Sequence, residues 1–229
     1  MGNCPNCGPV EIGTDVTRRD VIRAMAAYYA NVETIDEQFR EVVQCLEDAG
    51  QNMDDWIIIY TTDHGEMLGE HAVWEKQKFF EGSARVPLMI RCPKAFAPSR
   101  SKKNVNLIDL FPTLCELCGI PEPEGLDGRS LVPIMRGKEE DRLDITYSQF
   151  VDNIMVKEGH LKYQWYGEDR TEVLFDLKKN PEETKNWAEE GDYQTAMERF
   201  RYLRDIYLEK KWDEIGSIFR TFRRFETSG

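Results

Sequence analysis

The chain has 229 residues, room for one large domain or one and a half. Hydrophobic residues make up 41% and aromatics 11%, which affords a real core and argues against global disorder. With 42 acidic against 30 basic residues the net charge is −12; this argues against nucleic acid as the main partner, since phosphate contacts dominate such binding, and a solvated acidic surface is the simplest reading.

Residues 1–17 read as an N-terminal tail. "MGNCPNCGPVEIG" has no apolar segment of the kind a secretory signal carries, and Asn6 stands where a myristoylation site wants Ser or Thr. No run of 18 apolar residues exists, so no transmembrane helix and no membrane partner are expected. A cytoplasmic location follows, on the condition that the true N-terminus is the one seen. The tail holds Cys4 and Cys7, one of two C-x-x-C pairs; the other is Cys115/Cys118. More than a hundred residues separate them, far beyond the spacing of a shared zinc site. For Cys4/Cys7 redox, metal and accident all stay open. The irregular spacing of the six cysteines mildly favours a reducing compartment.

Residues 18–49 predict a long helix. Met25, Tyr29, Val32, Ile35, Phe39, Val42 and Leu46 recur every three or four positions as one stripe, expected to be buried, and Gly50 suits a C-cap. "WIIIYTT" then predicts a strand covered on both faces, as in a parallel sheet. "VPLMIRCP" (86–93) predicts a second short strand and "VNLIDLFPTLCELCGI" a helix from about Leu107, with Pro112 in its tolerant first turns and both Cys115 and Cys118 as buried thiols. Residues 121–141 read as a surface loop with a short helix. Beyond them "DITYSQF", "NIMVKEG", "HLKYQWY" and "EVLFDL" predict an antiparallel meander, followed by an amphipathic helix at 193–212. The fold class is therefore α/β: helix and buried strand in 18–141, then a small α+β subdomain in 142–229.

The chemistry concentrates just after the first strand. Asp63 and His64 stand past its C-terminal end, where open α/β sheets bind ligands. A carboxylate and an imidazole side by side suit a divalent cation, and Gly65 permits a close backbone approach. The rival reading is a capping aspartate beside an ordinary satisfied histidine. Glu66 is either a supporting partner or a solvated charge. Lys76 could reach the same site as a point charge for a phosphate or sulfate, and Glu81 and Arg85 could pair at i,i+4. His71 reads as a loop residue, Trp74 as core and His160 as surface.

The longer string "TTDHGEMLGEHAVWEKQKFFEGSARVPLMIRCP" resembles the sulfatase family of alkaline-phosphatase-like, metal-dependent hydrolases. "AAYYANVETIDEQFREVVQCLEDAG", "VNLIDLFPTLCELCGIPEPEGLDGRSLVPIMRG" and "LFDLKKNPEETKNWA" extend the resemblance over roughly residues 20–212. It implies the C-terminal part of an alkaline-phosphatase-like α/β sandwich plus a small α+β subdomain. It also implies that Asp63 and His64 ligate a divalent cation, calcium in most of the family, with magnesium or manganese as alternatives. Lys76 would bind the sulfate group as the catalytic lysine, with His64 beside it, and Glu81, Arg85 and Pro87 would frame the loop. The implied substrate is a sulfate ester, small molecule or glycan. The family's nucleophile, a formylglycine made from the cysteine of C-x-P-S-R, has no counterpart here. "FAPSR" at 96–100 carries Phe96 in its place, which can be neither oxidised to an aldehyde nor used as a nucleophile. The expectation is thus a sulfatase-type polypeptide that is a fragment, inactive alone, with an N-terminal partner chain or an oligomer completing it. The alternatives are a phosphonate or phosphate monoester hydrolase of the same superfamily, and a non-catalytic remnant or subunit.

Overall fold

A computed structural model describes residues 16–138 and 143–226, with side chains to residue 210. The N-terminal pair Cys4/Cys7, and nearly all of the expected tail, lie outside the described residues. The chain divides into two compact units at Pro98/Ser99.

In the first unit, helix α1 spans Arg18–Asp48. It starts where expected because Thr17 caps it: the Thr17 side chain accepts from the Asp20 amide, and the Asp20 carboxylate accepts from the Thr17 amide in return. Strand β1 (Ile58–Thr61) pairs with β2 (Leu88–Arg91), Ile59 opposite Ile90 and Tyr60 opposite Met89. Between them lie a 3-10 turn at Glu70–Ala72 and the four-residue helix α2 (Glu81–Ala84).

Three sequence expectations are corrected here. The β1–β2 pair is antiparallel, not parallel. A parallel return requires a crossover, usually a full helix, and residues 62–87 instead fold into a compact loop that reverses the chain. The α1 stripe is not buried. No residue of α1 is buried; Tyr29, Val32, Ile35 and Val42 are each about half exposed. β1 is half-buried along its whole length rather than covered on both faces. Phe39 does reach Tyr60 edge-on at 5.7 Å between ring centroids, and a 370 Å³ cleft opens beside it, lined by Phe39, Val43, Ile58, Tyr60, Met89 and Ile90 among others.

The second unit contains helix α3 (Leu110–Cys118), a short helix α4 (Val132–Met135), strands β3 (Ile145–Phe150), β4 (Asn153–Glu158), β5 (Leu161–Tyr166) and β6 (Thr171–Asp176), and helix α5 (Gln194–Glu226). A 3-10 turn at Leu107–Asp109 leads into α3. Buried Asp109 organises that turn, accepting from the Asn106 amide at 2.7 Å and the Arg129 amide at 2.9 Å. A Cβ on Gly128 would stand 2.0 Å from the Ile108 carbonyl oxygen, so only glycine permits this approach. Helix α3 ends at Gly119 in the left-handed conformation (φ 65°). Cys115 is buried as expected, but Cys118, at the last turn, is exposed.

The four-stranded sheet is the expected meander in the order β3-β4-β5-β6, antiparallel throughout. One face packs on α5 around Ile154, Val156, Tyr163, Leu174, Met197 and Phe200, all essentially inaccessible. Tyr163 stacks on Phe200 at 5.6 Å, and its hydroxyl donates to Glu172 at 2.6 Å. Arg201 and Arg204 of α5 grip the same carboxylate. The Arg201 guanidinium holds the Glu172 carboxyl below the ordinary glutamate range, against the opposing effect of burial. Lys162, on the alternate face of β5, is buried against Glu183 at 2.7 Å.

Candidate functional site

β1 delivers Thr62, Asp63 and His64 onto its exposed C-terminal end. Asp63 Oδ1 accepts from the His64 amide at 2.9 Å and from the Thr62 hydroxyl at 3.2 Å. These bonds, the amide first, hold the Asp63 carboxyl below its ordinary range and keep it anionic. His64 Nδ1 lies 2.8 Å from the Gly65 carbonyl oxygen. A carbonyl can only accept, so Nδ1 is the donor in this contact and Nε2 is the ring atom left to face outward. Nε2 lies 3.6 Å from Asp63 Oδ2.

The loop behind this pair is rigidly built. The Gly65 amide donates to the Ser83 carbonyl at 2.8 Å, and a Cβ at Gly65 would sit 2.1 Å from the Gly82 carbonyl oxygen. Glycine at 65 therefore lets the Asp-His turn press directly on α2. Met67, completely buried, anchors the next step. Five non-glycine residues then adopt left-handed backbone within ten positions: Leu68, His71, Ala72, Glu75 and Gln77. Each such residue is disfavoured by about 1–2 kcal/mol, and such strain persists where surrounding contacts over-determine it. Those contacts are visible: the Met67 amide donates to the Glu75 carbonyl at 2.9 Å, the Glu75 amide donates to the Glu66 carboxylate, and His71 stacks on Phe80 at 3.8 Å. Arg85 lies 4.0 Å from Glu81, the expected i,i+4 pair.

Lys76 sits between left-handed Glu75 and Gln77, half-buried. Among the described residues it has no hydrogen-bond or ion-pair partner, so its charge is unspent. The structure thus brings Asp63 and His64 together and places Lys76 on the same loop without bonding it to either. The left-handed run and the Glu66–Glu75 bond were not legible beforehand, because none of those five positions carries the glycine that would signal such backbone. His160 is exposed, as expected, 3.8 Å from Asp176.

Two cis ligands of a hard cation bound at about 2.3–2.6 Å stand about 3.3–3.7 Å apart. The Asp63–His64 donor pair meets that spacing. Among the described residues no group of three or more His, Cys, Asp or Glu side chains could hold a metal ion, so the pair fits two positions of a shell that needs six or so. No helix among the described residues is long and apolar enough to cross a membrane.

Comparison with known proteins bears on this geometry. Residues 5–120 match the family described as Sulfatase, and residues 69–206 match N-sulphoglucosamine sulphohydrolase, C-terminal. A choline-sulfatase of Rhizobium meliloti (strain 1021) is 40% identical over 212 residues, 87% of this chain and 40% of the relative. The crystal structure of a phosphonate monoester hydrolase of Agrobacterium radiobacter superposes with a TM-score of 0.75 at 29% identity, covering 86% of this chain and 44% of that one. An enzyme solved in complex with its substrate, D-glucosamine-2-N,6-O-disulfate, matches with a TM-score of 0.68 at 25% identity, covering 81% of this chain and 40% of that one. The chain therefore spans about two fifths of the length of the relatives it matches.

Proposed function

Given that this chain belongs to the sulfatase family, we propose that it forms one wall of a sulfuric ester hydrolase site, with Asp63 and His64 as cation ligands and Lys76 as the sulfate-binding residue. The observation that carries this reading is the Asp63–His64 pair: a carboxylate held anionic beside an imidazole whose Nε2 atom lies 3.6 Å away. A bound divalent cation, calcium by family habit and otherwise magnesium or manganese, would polarise a sulfate oxygen and offset charge as the ester bond breaks. Asp63 and His64 would hold two of its positions. The Lys76 ammonium, unpaired among the described residues, would neutralise the sulfate oxygens and favour charge building on the leaving oxygen.

The nucleophile and the remaining ligands would come from residues beyond this sequence, in the same protein or in a partner chain. The exposed stripe on α1 and the half-covered β1–β2 pair support that reading, since a two-stranded sheet with an open apolar face is marginal alone. The ligand class is a sulfate ester, small molecule or glycan; the choline-sulfatase relative and the neighbour holding a disulfated glucosamine support it. A phosphonate or phosphate monoester is the second reading, favoured by the phosphonate hydrolase neighbour.

The test is turnover of an aryl sulfate and an aryl phosphonate by the pure chain, and by the chain joined to the N-terminal three fifths of the choline-sulfatase relative. We expect no turnover above background alone and cation-dependent sulfate release in the joined form, abolished by Asp63→Ala or Lys76→Ala. Turnover by the pure chain would refute the shared-wall reading, and faster phosphonate cleavage would select the second substrate class.

A further inference from the structure

We infer that Glu66 is a positioning residue for Lys76: its carboxylate oxygen holds the backbone of Glu75 and thereby sets where the lysine leaves the loop. The inference rests on the reading of Lys76 as the anion-binding residue.

Both backbone groups of Glu75 are gripped from one side of the loop. Its amide donates to the Glu66 carboxylate, and its carbonyl accepts from the Met67 amide at 2.9 Å. Glu75 (φ 76°) and Gln77 (φ 72°) flank Lys76 in a conformation that side-chain-bearing residues avoid. Released from the grip, this segment would relax toward right-handed or extended backbone and swing Lys76 away. Residues 66 and 67 are themselves fixed. Met67 is completely buried, and the Gly65 amide next to Glu66 donates to the Ser83 carbonyl at 2.8 Å. A lysine has a flexible four-carbon stem, so the position of its charge depends first on a fixed backbone.

The chemistry also says what kind of role this is. The partner of Glu66 is a backbone N–H, which needs an acceptor oxygen and not a charge. A glutamine side chain offers the same acceptor. Among the described residues Glu66 joins no metal-capable cluster with Asp63 and His64. Substitution by Gln therefore separates positioning from proton transfer, which requires the carboxylate.

The test uses the ¹⁵N-labelled full chain and its Glu66→Gln, Glu66→Ala and Lys76→Ala variants. Hydrogen exchange is read at the Glu75 amide, and inorganic sulfate is titrated while the amides of residues 75–77 are followed. Loss of this one bond should speed Glu75 exchange about tenfold or more in Glu66→Ala, while Glu66→Gln stays within about threefold of the parent. The sulfate response should survive in Glu66→Gln and disappear in Glu66→Ala and Lys76→Ala, with melting temperatures nearly unchanged. Unchanged exchange in Glu66→Ala, or equal loss in both Glu66 variants, overturns the positioning role. If the parent's amides ignore sulfate while the exchange pattern holds, the anion-binding role of Lys76 fails, and with it the purpose assigned to the clamp.

Discussion

The β3–β6 sheet with α5 and the α1–β1–β2 segment contrast sharply. In the first, eight residues form a closed cluster, and six of them are at most 1% accessible. In the second, a 31-residue helix buries nothing and the two strands are half-covered. The polar chemistry divides in the opposite sense. The meander spends its charges internally: Glu172 on Tyr163, Arg201 and Arg204, and Lys162 on Glu183. The first unit leaves Asp63 and His64 exposed and Lys76 unpaired among the described residues. A region that satisfies its own groups has a structural task. One that holds strained backbone, unspent charge and uncovered apolar surface is built to meet something else.

The largest effect that could break this contrast lies at Lys162. Lys162→Met leaves Glu183 buried without its ammonium partner and should destabilise the second unit by about 3–5 kcal/mol in denaturant unfolding. Phe200→Ala should cost a similar ~3–5 kcal/mol, because it opens a cavity against Tyr163 and Met197. Gly65→Ala should cost about 1–3 kcal/mol, since its Cβ would collide with backbone rather than with a yielding side chain; the loss should localise, by hydrogen exchange, to residues 63–84. Acid should also act unequally. The Glu172 carboxyl is lowered in the folded state, so its contribution is complete above its ordinary value of 4.5 and is lost as pH falls through the lowered one. We expect the unfolding midpoint of the second unit to fall between pH 6 and pH 3, by less in Glu172→Gln. The smallest effect should be at Ile35, where Ile35→Ala on the open face of α1 should change stability by no more than ~0.5 kcal/mol. A large loss there would show that the stripe is already covered in solution and would end the contrast.

Much of this was legible in residue order. The extent of α1, the meander and the run into Asp63-His64 follow from periodicities of 3.6 and 2 and from the turn residues that bound them. The direction of β1–β2 was not, because an apolar run reads the same whichever way its neighbour points. The exposure of the α1 stripe was equally hidden: periodicity reports which face should be buried, and only packing decides whether anything covers it. Cys115 and Cys118 show the limit at single residues. Spacing put both on one side of α3, but the helix stops at Gly119 and strands the second in solvent.

At the site itself, the sequence alone determined the residue types and their order: a carboxylate, an imidazole and a glycine after a strand, and a lysine twelve positions beyond His64. Those are local properties of the chain. The pressure of Gly65 on Gly82, the five left-handed residues and the hold of Glu66 on Glu75 were decided only by tertiary structure. Each depends on a group brought close by folding, and a strained conformation persists only where such a neighbour holds it.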